Sequence, residues 1–214
     1  MDASLIFAQF LSGLSRGMML FLIASGLSLI FGVMNILNFA HATLWLVGAY
    51  FAYTFWFLMQ DYGFGMWLSI PLAAFTLAGI GLIIEVVLIR RVYDRELPEQ
   101  LLLTYAMVLV LGDLIKIVWG VEDKIIERPP LVASPVFIFG MPFDSYFIFV
   151  ILIGLAVAVG LWWFLKRTRY GHIVRAAVFS REMVGAPGIP IPRIYTGVFA
   201  LGIFIAGLAG AVQA

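Results

Sequence analysis

The chain has 214 residues, of which 64% are hydrophobic and only 12% charged. Soluble domains run at roughly 45–50% apolar and about 25% charged, so a water-soluble globule of this size has no means of hiding so much apolar surface. A net charge of +1 argues against nucleic-acid binding, which needs a clustered basic face, and the absence of cysteine removes disulfides, thiolate metal sites and thiol nucleophiles at once.

A membrane-spanning helix needs about 20 mainly apolar residues, and six stretches qualify, which predicts an all-α polytopic bundle. A short leading segment, Leu5–Ser15, runs into the first, Gly17–Met34. Asp2 stands where a signal peptide would carry a basic run, and no small-x-small cleavage site ends the apolar stretch, so a cleavable leader is not expected. No Asp, Glu, Lys or Arg occurs between Arg16 and Asp61. That interval is too long for one span, so it holds two, the second being Thr43–Met59.

The break between them, near Asn35–His41, puts Asn35, Asn38 and His41 among apolar residues at or near membrane depth. Non-helical backbone there is tolerated only when buried in protein or lining a water-filled path, and Asn side chains can satisfy the freed backbone groups. Two readings stand: a buried structural turn, and a substrate path that Asn35, Asn38 and His41 line or gate. The other histidine, His172, is too distant in sequence to form a metal-ligand spacing with His41.

The third span is Trp67–Ile89, with Glu85 about one turn from Arg90 and expected to pair with it or to lie at the interface. The loop Arg90–Pro98 has room for little more than a turn. The fourth span, Glu99–Trp119, carries Asp113 and Lys116 three apart, on one face, where they neutralise each other. In the loop Val121–Asp144, Pro129-Pro130 stops helices and the β-favouring run at 136–139 predicts a short extended piece or hairpin. The fifth span is Ser145–Leu165. From Lys166 to Arg193 the chain carries Lys166, Arg167, Arg169, Arg175, Arg181 and Arg193 against Glu182 alone. Within it Gly171–Gly185 predicts a short helix, punctuated by Gly185, Pro187 and Gly188. The sixth span is Ile194–Ala214. Its Gly202, Ala206 and Gly210 make a small-residue face that needs a partner to bury it; Gly154 and Ala158, and Gly13 and Gly17, repeat the spacing.

Basic short loops stay cytoplasmic. The rule places Lys166–Arg193 inside together with Arg90, Arg91 and Arg95, and the acidic loop Val121–Asp144 outside. The N-terminus then lies outside if the break at Asn35–His41 separates two crossings, and inside if it is re-entrant.

The run Gly26-Leu27-Ser28-Leu29-Ile30-Phe31-Gly32 through Asn38-Phe39-Ala40-His41, continuing to Gly48-Ala49-Tyr50, resembles permeases of branched-chain amino-acid ABC importers. Arg167-Thr168-Arg169-Tyr170-Gly171 followed by Arg175-Ala176 is similar to the start of their cytoplasmic coupling loop. Gly188-Ile189, Phe199–Gly202 and Ala206–Ala211 are similar to its end and the next helix. Glu85 through Arg91 and Thr104 also fit. Ala42 stands where that family has Gly, and Met183-Val184 where it has Ala-Ala. The chain ends with a helix where family members continue with further spans, so it is expected to be C-terminally incomplete or an unusually short member, and unable to transport alone.

The resemblance implies one transmembrane permease domain over 1–214 with a coupling loop at 166–193, in the plasma (inner) membrane. The partners it implies are a second permease subunit, two cytoplasmic ATPase subunits and an extracytoplasmic substrate-binding protein. Arg175, Phe179, Glu182 and Gly188 fall at the implied ATPase contact. The chain has no Gly-x-x-x-x-Gly-Lys-[Ser/Thr], so ATP chemistry is expected on the partner and no cofactor on this chain. Two alternatives remain: a permease of the same class for urea, short amides or another small solute, and an ion-driven secondary transporter. The latter class usually shows internal repeats and functional intramembrane charges.

Overall fold

A computed structural model of the chain describes residues 3–62, 65–127, 132, 134–138, 141–180, 184–185 and 188–214. Its elements are α1 (Ala3–Met34), α2 (Ala40–Met59), α3 (Gly65–Val87), a single 3-10 turn (Ile89–Val92), α4 (Leu97–Trp119), a two-stranded hairpin of β1 (Pro135–Ile138) and β2 (Met141–Asp144), α5 (Ser145–Arg167), α6 (Arg169–Phe179) and α7 (Ile191–Gln213). All of these helices except α6 are long and apolar enough to cross a membrane. The leading segment Leu5–Ser15 is not separate from the first span. No Gly or Pro interrupts it strongly enough, and α1 runs unbroken from Ala3.

Two ends of the bundle can be told apart. At the basic end lie the C-terminus of α1, the turn carrying Arg90 and Arg91, all of α6 and the start of α7. At the opposite end Trp119 Nε1 donates to Thr54 Oγ1 at 2.8 Å, joining the tips of α4 and α2. There too the Tyr146 hydroxyl donates to the Val212 carbonyl, joining the start of α5 to the end of α7. The antiparallel hairpin pairs Pro135 with Asp144 and Ile138 with Met141, and Asp144 caps α5 by accepting from Tyr146 N at 2.9 Å. α1 runs to the basic end and α2 back to the opposite one, so they are two crossings.

α7 is the axis on which α1, α2 and α3 pack, with α4 laid on α2 and α5 on α1. Two thirds of its spanning window is buried, against 11–33% in the other spans. Lipid tails are as apolar as leucine, so close backbone approach rather than hydrophobicity holds such helices together. Gly202, Ala206 and Gly210 are all buried. The face read from sequence as awaiting a partner is covered by α1 and α2 of the same chain. A Cβ at Gly26 would stand 2.5 Å from the Gly202 carbonyl oxygen, and one at Gly48 2.8 Å from Gly207 Cα. Gly154 likewise presses on Met18 of α1, whereas Gly13 and Gly17 face open space.

Candidate functional site

The span break is built as follows. α1 finishes when Asn35, at φ 55°, turns left-handed after its N–H bonds the Phe31 carbonyl at 2.8 Å. Asn is one of the few residues other than Gly that visits this region readily, and a left-handed residue there is a common way to end a helix. The chain then runs back into the bundle before α2 begins. Leu37 O accepts from Thr104 Oγ1 at 3.3 Å, and Thr104 lies seven residues along α4 from Leu97, or roughly 10 Å at 1.5 Å per residue. His41 Nε2 donates to Ile23 O at 3.2 Å, eleven residues back from the end of α1, or roughly 16 Å. The irregular backbone at 36–39 is therefore set back into the bundle from the end of α1.

Its polar groups are served locally. Asn38 Oδ1 accepts from Ala40 N at 3.1 Å, an Asx turn leading into α2, and Asn38 O accepts from His41 N at 3.1 Å. Asn38 and His41 are each only 2% exposed. His41 donates through Nε2, so its proton is on that nitrogen, and its ring fills the space over Gly26 where no Cβ fits. Among the described residues, Asn38 Nδ2 and His41 Nδ1 have no hydrogen-bond partner. Such groups each cost about 1–3 kcal/mol when buried. Asn35 differs. It is exposed and lines a polar cleft of about 400 Å³ at the basic end, with Tyr93, Asp94, Arg95 and Gln100 around it. Gln100 is 6% exposed, and its Nε2 donates to Arg95 O at 3.0 Å.

Beside that cleft is a cluster that the sequence showed only in part. Glu85, fully buried near the end of α3, pairs with Arg90. Arg90 Nη2 reaches Oε2 at 3.1 Å and Nε reaches Oε1 at 3.3 Å. Oε1 also accepts from the Tyr93 hydroxyl and Oε2 from Thr196 Oγ1 at 2.7 Å, while Arg90 Nη2 also donates to Thr196 Oγ1 at 2.8 Å. Burial first, and then the hydrogen bond to Glu85, pushes the Tyr93 hydroxyl above its ordinary range; the bond to Glu85 raises Arg90 likewise. Thr196 and Tyr93 carried no signal of their own in the sequence. The one available was that a buried Glu85 needs more donors than a single arginine.

The second candidate region is α6. Thr168 caps it, its hydroxyl accepting from Gly171 N at 2.9 Å. Gly171, Val174 and Ala177 form its buried face, and a Cβ at Gly171 would overlap the Phe164 carbonyl of α5. The Tyr170 hydroxyl donates to Arg193 O of α7 at 3.0 Å. α6 is thus held to the end of one span and the start of another. The helix is shorter than Gly171–Gly185. It stops at Ser180, whose N–H closes it on Ala176 O in extended backbone. Arg175 and Val178 are exposed at the rim of an apolar groove between α1, α5 and α6, and Phe179 is 90% exposed. Gly188 turns at φ 84° just before α7. Glu182, with Arg181, Met183 and Pro187, lies outside the described residues.

The exposed Asp113–Lys116 pair on α4, at 3.2 Å, is local as expected.

The described residues thus form a multi-pass helix bundle, apolar enough to cross a membrane six times, with irregular backbone between α1 and α2 and a basic helix strapped across two span ends. The chain belongs to the family described as branched-chain amino acid transport system / permease component, whose family model matches residues 9–214. It is 28% identical to the high-affinity branched-chain amino acid transport system permease protein BraD of Pseudomonas aeruginosa, over 94% of this chain and 68% of that one. It is 27% identical to the probable branched-chain amino acid transport permease protein LivH of Methanocaldococcus jannaschii, over 90% of this chain and 61% of that one. It is 23% identical to the high-affinity permease protein LivH of Escherichia coli K12, over 94% and 68%. The chain thus spans about two thirds of the length of these relatives. No solved structure matches it.

Proposed function

We propose that this chain forms part of the transmembrane path of an ATP-driven importer for branched-chain amino acids. It would work beside a second permease subunit, with two ATPase subunits on its basic, cytoplasmic side and an extracytoplasmic binding protein delivering substrate. α6 carries the mechanistic half of this reading. A transporter driven by a separate ATPase needs a rigid element that converts ATPase closure into movement of spans. α6 is bound to both α5 and α7 and presents Phe179 to solvent. An aromatic side chain this bare on a water-facing helix suits a partner's pocket, and interfaces concentrate their energy in aromatic and Arg anchors. Arg175, on the same helix, supplies the cation, and Gly188 ends the loop.

Phe179→Ala should weaken ATPase association by about 2 kcal/mol, roughly thirtyfold in Kd, with the permease still inserted. Pull-down yield and the ratio of ATP hydrolysis to leucine uptake in reconstituted vesicles measure it. If Phe179→Ala and Arg175→Ala both leave yield and ratio intact, α6 is not the coupling element.

The broken span is the proposed moving part of the path, with Asn38 and His41 as its hinge and Asn35 at its cytoplasmic mouth. Asn38→Ala removes the Asx turn that leads into α2, a hydrogen bond worth about 1 kcal/mol, and His41→Ala opens a hole over Gly26. Both should lower leucine uptake per inserted molecule. A fall in expression with unchanged uptake per molecule would reduce these residues to a structural turn.

A further inference from the structure

The cluster around Glu85 has more structure than charge compensation demands. An apolar side chain at position 85 would fill the same space without the desolvation cost of a buried carboxylate, and buried ion pairs are poor sources of stability for that reason. Instead Glu85 gathers three donors from two separate places: Arg90 and Tyr93 on the connection after α3, and Thr196 on α7. Tyr93 also lines the cleft that Asn35 borders. On its other side, α7 is tied to α6 within the same turn. The Tyr170 hydroxyl bonds Arg193 O, and the Tyr170 side chain sits so close to Gly197 that a Cβ there would stand 2.6 Å from the hydroxyl oxygen. Thr196 lies between those two contacts in sequence.

We propose that Glu85 and Thr196 are positioning residues for transport. In this relay they pass displacement of α6 and α7 to the connection at 89–96, and through Tyr93 to the cleft beside Asn35. The proposal rests on α6 being the docking helix. Hydrogen bonds to a carboxylate are short and directional, so they transmit a shift that sliding apolar contacts would dissipate. The joint at Thr196 is also breakable. Its hydroxyl has one proton and two acceptors in reach, Glu85 Oε2 at 2.7 Å and the Pro192 carbonyl at 2.8 Å. A small rotation of α7 exchanges one for the other without leaving the proton unpaired, which gives the contact two discrete arrangements, as a coupling element requires.

The test uses the assembled complex with its ATPase and partner permease in vesicles, with leucine as the transported probe. The chain has no cysteine, so Asp94→Cys reports on the cleft through its maleimide labelling rate with and without trapped nucleotide. Thr196→Val keeps the shape and removes the hydroxyl. It should insert and bind the ATPase normally, lower leucine uptake per ATP hydrolysed by roughly fivefold or more, and abolish the nucleotide response at the Asp94→Cys reporter. Thr196→Ser should restore both. Tyr93→Phe keeps the ring against Tyr195, whose centroid is 5.2 Å away, and should repeat the Thr196→Val result. A wild-type ratio and labelling response in Thr196→Val and Tyr93→Phe would overturn the relay. So would equal losses of insertion and uptake in both, unrelieved by Thr196→Ser, because the cluster would then be packing alone. Absence of any nucleotide response at the reporter in the otherwise unaltered chain would bring down the docking-helix reading and the relay with it.

Discussion

Gly210→Ala is expected to be the single added methyl group that most disturbs the contact between α2 and α7. The new Cβ would overlap the Trp45 carbonyl oxygen and stand 2.9 Å from Ala49 N. Both are backbone atoms of a helix, so no side chain can swing away, and α2 must be pushed off α7. Overpacking of a well-filled core costs about 1–3 kcal/mol and occasionally more. Backbone against backbone belongs at the top of that range, and α1, α2 and α3 all pack on α7, so the displacement spreads. Gly160→Ala on α5 is the control, since nothing lies within 4 Å of its Cβ position. In a helix interior that change should be neutral or stabilise by up to about 1 kcal/mol. Thermal unfolding in detergent compares the two. If Gly210→Ala melts with the unaltered chain, the α2–α7 crossing is not as close as described.

Arg90→Ala should be the second-largest effect. It leaves the fully buried Glu85 with two hydroxyl donors and no cation. Breaking a buried pair from one side costs about 3–5 kcal/mol, and the low end, about 3 kcal/mol, applies here because Arg90 is itself 38% exposed. Lys116→Ala removes a cation from a pair of similar separation, 3.2 Å, but with both partners well over half exposed. That loss should stay below about 1 kcal/mol. Chemical unfolding of the two variants in the same detergent should separate them clearly. Equal losses would mean that Glu85 is not held as a buried carboxylate.

The contrast between those two pairs shows how far the sequence alone reaches. Asp113–Lys116 was legible as a pair because residues three apart share a helix face, and Glu85 was legible as paired with Arg90 or interfacial because the two lie about a turn apart. Nothing in the spacing said that one would be sealed in the bundle and the other left on its outside. Asn35–His41 was legible as a break because the charge-free interval from Arg16 to Asp61 is too long for one span, whatever the packing. Its depth was not, since that depends on Thr104 and Ile23, which lie far along the chain. The loop helix was legible as a mixed apolar and basic segment, but its end at Phe179 and its anchoring through Tyr170 to Arg193 were not.

Composition and hydropathy determined the fold class, the six spans, the hairpin near 136–142 and the basic loop, because each follows from properties local to a short stretch of chain. The tertiary structure alone decided that α7 is the axis, that its Gly202 and Gly210 are buried by α1 and α2, and that Thr196 completes the shell of a glutamate 111 residues earlier. The physical reason is the solvent. In water a helix betrays its inner face by hydrophobicity, but in a bilayer the face toward lipid and the face toward protein are both apolar. What distinguishes them is side-chain size and the few polar groups needing partners, and which of those meet is settled only when the helices pack.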